Sequence, residues 1–175
     1  MNDRNPIRIV MAEDNVADVI LFKEALESAA IRYELETCEN GQEVLNRLTA
    51  FPDSPLPHLV VIDLNLPAVD GFQVLKSLRN DRRFDRIPLA VLTSSRAASD
   101  ERKARDLGAT VFISKPTTLG EFLHTVAAAV KALLADEEPG GVSHAGMAMR
   151  GISQIREWSK KKVLRSVRST PLAWS

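Results

Sequence analysis

Residues 60–75 read VVIDLNLPAVDGFQVL, and the two halves of this stretch have different periods. With Leu59 in front, the run LVVI is apolar at every position, as expected of a strand in a parallel sheet covered on both faces. It ends on a charged residue, Asp63. Pro67 and Gly71 then flank a tight loop by ordinary turn chemistry. Beyond them Phe72, Leu75 and Leu78 recur at the helical period.

The same alternation extends outward in both directions. Ile7 to Ala12 (IRIVMA) and Leu89 to Leu92 (LAVL) are further apolar runs, and Val111 to Ile113 (VFI) is a shorter one. Tyr33 to Cys38 (YELETC) alternates, as a strand nearer an edge would. Between these runs lie helical patterns. Val16, Val19, Ile20 and Leu26 mark one face of a helix over 15–29, and Val44, Leu45 and Leu48 mark a second helix. Residues 97–107 form a more polar helix closed by Gly108. Leu119, Phe122, Leu123, Val126 and Val130 mark the last, with Thr117 or Thr118 as its N-cap. Five strand–helix repeats predict an α/β fold: a doubly wound, five-stranded parallel sheet, flavodoxin-like in order 2-1-3-4-5, with five helices.

That architecture puts chemistry beyond the carboxyl ends of the strands. Strand one ends in Glu13-Asp14, strand three in Asp63, strand four in Thr93-Ser94, and strand five in Lys115-Pro116. Clustered carboxylates repel one another unless a cation joins them. An all-oxygen set suits Mg²⁺, which takes one or two carboxylates plus waters and a phosphate. Asp14 and Asp63 are therefore read as Mg²⁺ ligands, with Asp63 also a nucleophile that gives an acyl phosphate on attacking phosphorus. Lys115 and Thr93 would stabilise charge on the transferring group. Taken singly, each residue has a plainer reading: Asp14 as a helix cap, Thr93 and Ser94 as strand-end hydroxyls, Lys115 as a solvated lysine. Their joint placement carries the argument.

Composition bounds the alternatives. The 175 residues suit one domain with a real core; 45% are apolar and 26% charged, ordinary for a globular chain. No apolar run is long enough to span a bilayer, and the N-terminus lacks the apolar core of a secretion signal, so a cytoplasmic protein is expected. The single cysteine, Cys38, is read as a buried structural thiol. A Mg²⁺-dependent hydrolase built on the same acids would need a general base and a substrate-binding insertion, and neither is evident.

Residues 7–134 resemble the receiver domain of two-component response regulators. The matching segments are IRIVMAEDN (7–15), VVIDLNLPAVDGFQVL (60–75), LAVLTSS (89–95) and DLGATVFISKP (106–116). The resemblance implies Mg²⁺ binding by Glu13 and Asp14, phosphorylation of Asp63, a metal-directed carbonyl at Asn65, phosphoryl contacts from Thr93 and Lys115, and a sensor histidine kinase as phosphodonor. More narrowly, EDNVADVILFKEAL, DLNLP and RFDRIPLAVLTSS resemble regulators associated with bacterial phytochromes, which are often free-standing. Glu13 stands where many members have Asp, so it is expected to reach the metal through water. Ser94 stands where Ala or Gly is common. Phe112 holds the aromatic switch position, often Tyr, without a hydroxyl to donate; a plain core aromatic is the other reading. The resemblance further implies a cis Lys115–Pro116 bond, a movement of Thr93 and Phe112 on phosphorylation, and output through protein–protein binding, including homodimerisation on the face of helix four, strand five and helix five.

The equal totals of 23 Lys and Arg and 23 Asp and Glu hide an asymmetry. Residues 1–138 hold 16 basic and 22 acidic residues; residues 139–175 hold 7 and 1. The sign changes at Pro139-Gly140-Gly141, so the receiver is expected over 1–138 and a basic, flexible tail over 139–175. Ile152, Ile155, Val163, Leu164 and Val167 share one side of a helical projection, and Lys160 to Lys162 form a basic run. Three readings of the tail stay open: a flexible extension, a helix on an anionic membrane surface, or attachment to nucleic acid through phosphates.

Overall fold

The computed structural model describes residues 5–49 and 55–135. Five strands, β1 (Ile7–Ala12), β2 (Tyr33–Cys38), β3 (Leu59–Ile62), β4 (Leu89–Thr93) and β5 (Val111–Ser114), form one parallel sheet in the order β2-β1-β3-β4-β5. They alternate with α1 (Val16–Ser28), α2 (Gly41–Thr49), α3 (Gly71–Arg79), α4 (Ala98–Asp106) and α5 (Leu119–Ala135). A short 3-10 turn at Arg82–Phe84 precedes β4. Residues 1–128 form one unit that holds the whole sheet; a second unit begins at Ala129, described as far as Ala135 as helix.

The strand order follows from burial. The three inner strands have almost no exposed side chain, whereas β2 at the edge is half-buried or exposed up to Thr37, without the strict alternation expected from its sequence, and only Cys38 is buried. Val10, Ala12, Val60, Ile62, Leu89 and Val91 pack with Val44 and Leu48 of α2, Val74, Leu75 and Leu78 of α3, and Ala104 of α4. The intervening residues Ile9, Met11, Leu59, Val61, Ala90 and Leu92 point the other way by the two-residue period and are equally buried. The β1-to-β2 step runs opposite to the other crossovers, so a right-handed connection puts α1 on that second face.

The phase of α1 differs from the sequence expectation. Val16 and Ile20 are exposed, at 68% and 56%, and the buried residues are Phe22, Ala25 and Leu26. Apolar residues lie nearly all round this helix, so periodicity alone could not phase it. Leu119 is exposed as well, while Phe122, Val126 and Val130 are buried as expected. Thr118 rather than Thr117 caps α5, its Oγ1 accepting from the Glu121 N–H at 3.4 Å. Among the described residues no peptide bond is cis, so Lys115–Pro116 is trans, the ordinary lower-energy form, contrary to the expectation. The sequence readings of 136–175 lie outside the described residues.

Candidate functional site

The hydrogen-bond ladder runs past the strand ends and sets the site. Ala12 is paired with both Cys38 and Ile62, and one step further the Glu13 N–H donates to Cys38 O (2.9 Å) and the Asp63 N–H to Ala12 O (3.0 Å). The Lys115 N–H donates to Thr93 O at 2.7 Å, extending the β4–β5 pairing. Glu13, Asp63, Thr93 and Lys115 are thus fixed by backbone register at adjacent strand ends. Glu13 and Asp63 are buried, and Thr93 is fully so.

Their side chains converge on the Lys115 ammonium. Nζ donates to Asp63 Oδ2 at 2.7 Å, Glu13 Oε2 at 2.7 Å and Asp18 Oδ2 at 2.8 Å. Burial opposes the Lys115 charge, but hydrogen bonds to Asp18, Asp63 and Glu13 outweigh it and raise its pKa above the usual lysine value. Burial pushes the Glu13 carboxyl up, and its bond to Lys115 offsets only part of this. Glu13 Oε1 also accepts from the Asn15 N–H at 3.1 Å.

The loop after β3 presents Asp63. The Asn65 N–H donates to Asp63 Oδ1 at 3.0 Å, and the Gly71 N–H closes the loop onto Leu64 O at 3.0 Å. A Cβ on Gly71 would lie 2.2 Å from the Asp63 carbonyl oxygen and 2.7 Å from Leu64 Cα, so only glycine fits there. At the end of β4, Thr93 Oγ1 accepts from the Ser95 N–H (3.3 Å), Ser95 Oγ donates to Asp100 Oδ2 (2.6 Å), and Ser114 Oγ donates to Ser95 O (2.9 Å). Phe112, paired with Val91, is half-buried against the core.

Of the residues singled out in the sequence, Glu13, Asp63 and Lys115 are within hydrogen-bonding distance through the ammonium. Thr93 adjoins them on the backbone. Asp14 is exposed and stays outside the Lys115 cluster; Asn15, not Asp14, caps α1 by accepting from the Ala17 N–H. Asp18 was missed, because an acid in the first turn of a helix is ordinary.

The donors suit a hard divalent cation. Among the described residues no group of three or more acidic, imidazole or thiol side chains converges as a metal cage. Mg²⁺ does not require one, taking one or two carboxylates and filling its octahedron with carbonyls and water. Asp14, Asp63 and the Asn65 carbonyl supply donors of that kind.

The model of the response regulator receiver domain matches residues 9–127. The chain belongs to the response-regulator receiver family. It is 30% identical over 129 residues to the response regulator Rcp1 of Synechocystis sp., a span of 71% of this chain and 88% of that one. It is 31% identical over 121 residues to the polar-differentiation response regulator DivK of Brucella anthropi, spanning 69% of this chain and 94% of that protein. The phosphorylated cyanobacterial phytochrome response regulator RcpA matches with a TM-score of 0.70 at 29% identity, over 78% of this chain and 100% of that one. Homology to these regulators makes the chain a receiver of phosphoacceptor signalling. Receiver domains interact with sensor histidine kinases, have low autophosphatase activity and bind a divalent metal; Rcp1 itself has been solved in a Mn²⁺-bound form.

Proposed function

We propose that Asp63 is the residue phosphorylated, by a sensor histidine kinase of the phytochrome type. The observation that carries this reading is the pairing of buried Asp63 Oδ2 with Lys115 Nζ at 2.7 Å, beside the Asn65 N–H on Oδ1. An Asp63 carboxylate oxygen attacks the phosphorus of a phosphohistidine. The O–P bond forms as the P–N bond breaks, and the departing imidazole nitrogen takes up a proton. Lys115 moves a donor from Asp63 to a phosphoryl oxygen, and Thr93 Oγ1 turns from the Ser95 N–H to another. Asp14, Asp63 and the Asn65 carbonyl would hold Mg²⁺, with Glu13 contributing through water. When bound, this ion supplies positive charge to the phosphoryl oxygens.

The signal is a change of packing. Drawing Thr93 toward the phosphoryl group opens space beside Phe112, and a rotamer change there shifts the α4–β5–α5 face toward partner binding or homodimerisation. The receiver spans 1–138, with 139–175 as a basic tail. Its only chemistry is its own phosphorylation and dephosphorylation, and it acts in the cytoplasm, in keeping with a buried, unpaired Cys38. The test is Asp63→Asn in the full chain with acetyl phosphate and Mg²⁺, read by phosphate incorporation. Loss of labelling with an unchanged melting curve is expected; labelling at the wild-type level overturns the assignment.

A further inference from the structure

The Lys115 ammonium has three hydrogens, and each meets a different carboxylate. Two of the three acceptors belong to the machinery proposed above. Asp63 loses charge from its attacking oxygen when the O–P bond forms, and Glu13 has an indirect part, through water, in holding the cation. Asp18 stands apart, in the first turn of α1, one helical turn beyond Asp14. Its side chain is 18% exposed, against 1% for Glu13 and 6% for Asp63. It is also firmly placed: the Asp18 N–H donates to Asn15 O at 3.0 Å, and Asn15 caps the helix.

Lys115 has a flexible four-carbon stem, and its Asp63 bond must be exchanged during phosphotransfer. Once released from Asp63, the ammonium keeps Glu13 and Asp18, and with Glu13 drawn to the cation through water Asp18 is the carboxylate left to hold it in the crevice. An acid that served only the helix dipole would face solvent and hold no lysine. We propose that Asp18 is a positioning residue for phosphotransfer: its carboxylate keeps the Lys115 ammonium over the crevice while the Lys115–Asp63 hydrogen bond is exchanged for one to the phosphoryl group. This rests on the assignment of Asp63 as acceptor. Asp18 touches neither the phosphoryl group nor the cation; it acts through Lys115.

The test uses Asp18→Asn, which keeps shape and removes charge, in the full chain. Phosphorylation is followed against acetyl phosphate and Mg²⁺ concentration. Acylation of Lys115 by an N-hydroxysuccinimide ester, relative to exposed Lys23, is followed by mass spectrometry with Mg²⁺ and beryllium trifluoride present. The maximal rate falls about tenfold, as for a misplaced catalytic group, with half-saturating donor and Mg²⁺ unchanged. Lys115 is labelled several-fold faster, and Asp18→Glu, which keeps the charge, restores most of the rate. Should Asp18→Asn not fold, Asp18→Ser, a residue tolerated at helix starts, is read in the same way. An unchanged maximal rate and Lys115 labelling overturns the proposal. So does a raised half-saturating Mg²⁺ at full maximal rate, which would make Asp18 a cation ligand. So does a lowered melting temperature with phosphorylation intact, which would make it a helix residue alone. In each variant the phosphate is mapped: phosphate away from Asp63 sinks the acceptor assignment, whereas phosphate on Asp63 at the wild-type rate sinks only the role of Asp18.

Discussion

Lys115 Nζ lies 2.7 Å from Asp63 Oδ2, although the two residues are 52 positions apart in sequence. The same ammonium also pairs with Glu13 and Asp18, so it is the shared counter-charge of the crevice. Its removal leaves three carboxylates facing one another, two of them buried.

Lys115→Met therefore destabilises the fold by about 3 kcal/mol at pH 7, the lower end for breaking a buried pair because Asp18 keeps some solvent. Urea unfolding with a chelator present measures it. The folded pKa of Lys115 is raised above 10.5, so its contribution is whole below that pH and is lost only in strong alkali. On the acid side the difference between wild type and variant shrinks as the carboxylates protonate. Saturating Mg²⁺ narrows it too, since the ion supplies the missing charge.

Glu13 gives a second pH signature. Burial raises its folded pKa above 4.5, so its contribution is whole below that pH and is lost as pH rises through the folded value. In chelator, the stability of wild type relative to Glu13→Gln is expected to fall between pH 4 and pH 7. Thermal melts of both proteins across that range check this; a difference that grows with pH contradicts it.

The strand ends were legible because buried parallel strands read as apolar runs and the carboxyl-end rule then places Glu13, Asp63, Thr93 and Lys115 without further information. The β1 and β3 boundaries match the sequence reading residue for residue. Asp18 was not legible, because its partner is 97 residues away and nothing local separates a lysine-holding acid from a helix-start acid. The exposed pair Val16 and Ile20 misled for a related reason: which side of α1 meets the sheet is decided by packing, not by composition. Arg79 belongs to the same class. Its guanidinium donates to Gly108 O, Phe84 O and Ile87 O, tying the α3–β4 and α4–β5 connections together from the end of α3.

Asp14 is exposed and unneeded by the Lys115 cluster, so its role is expected to show only with the cation. Asp14→Asn leaves the melting temperature in chelator unchanged. It weakens Mg²⁺ binding about tenfold, the scale of one charged ligand lost. A Mg²⁺ titration of the melting temperature, wild type against variant, measures both effects.

Gly71→Ala tests the loop that presents Asp63. The added Cβ would sit 2.2 Å from the Asp63 carbonyl oxygen, backbone that cannot yield without moving Asp63. A loss of about 2 kcal/mol, typical of overpacking, is expected in urea unfolding. Phosphorylation by acetyl phosphate slows with it, whereas Gly120→Ala, where a Cβ meets nothing within 4 Å, leaves phosphorylation unchanged and stabilises the helix by about 0.5–1 kcal/mol.

The ends of α1 and α4 supply an internal control on backbone strain. Both close with the same pair of bonds: Ile31 N–H to Leu26 O with Ala30 N–H to Glu27 O, and Ala109 N–H to Ala104 O with Gly108 N–H to Arg105 O. This is the Schellman arrangement, whose left-handed residue is usually glycine. α4 has Gly108 there at φ +92°, but α1 has Ala30 at φ +54°. The left-handed region costs an L-residue about 1–2 kcal/mol, and the extra freedom of glycine when unfolded returns about 0.5–1 kcal/mol of that. Ala30→Gly is therefore expected to stabilise the protein by about 0.5 kcal/mol without altering phosphorylation. Gly108→Ala runs the other way and further, because its Cβ would also lie 2.7 Å from Arg79 Cγ and press on the side chain that ties the loops together. Urea unfolding of the two variants should give opposite signs, and equal destabilisation by both would mean that Ala30 is not strained.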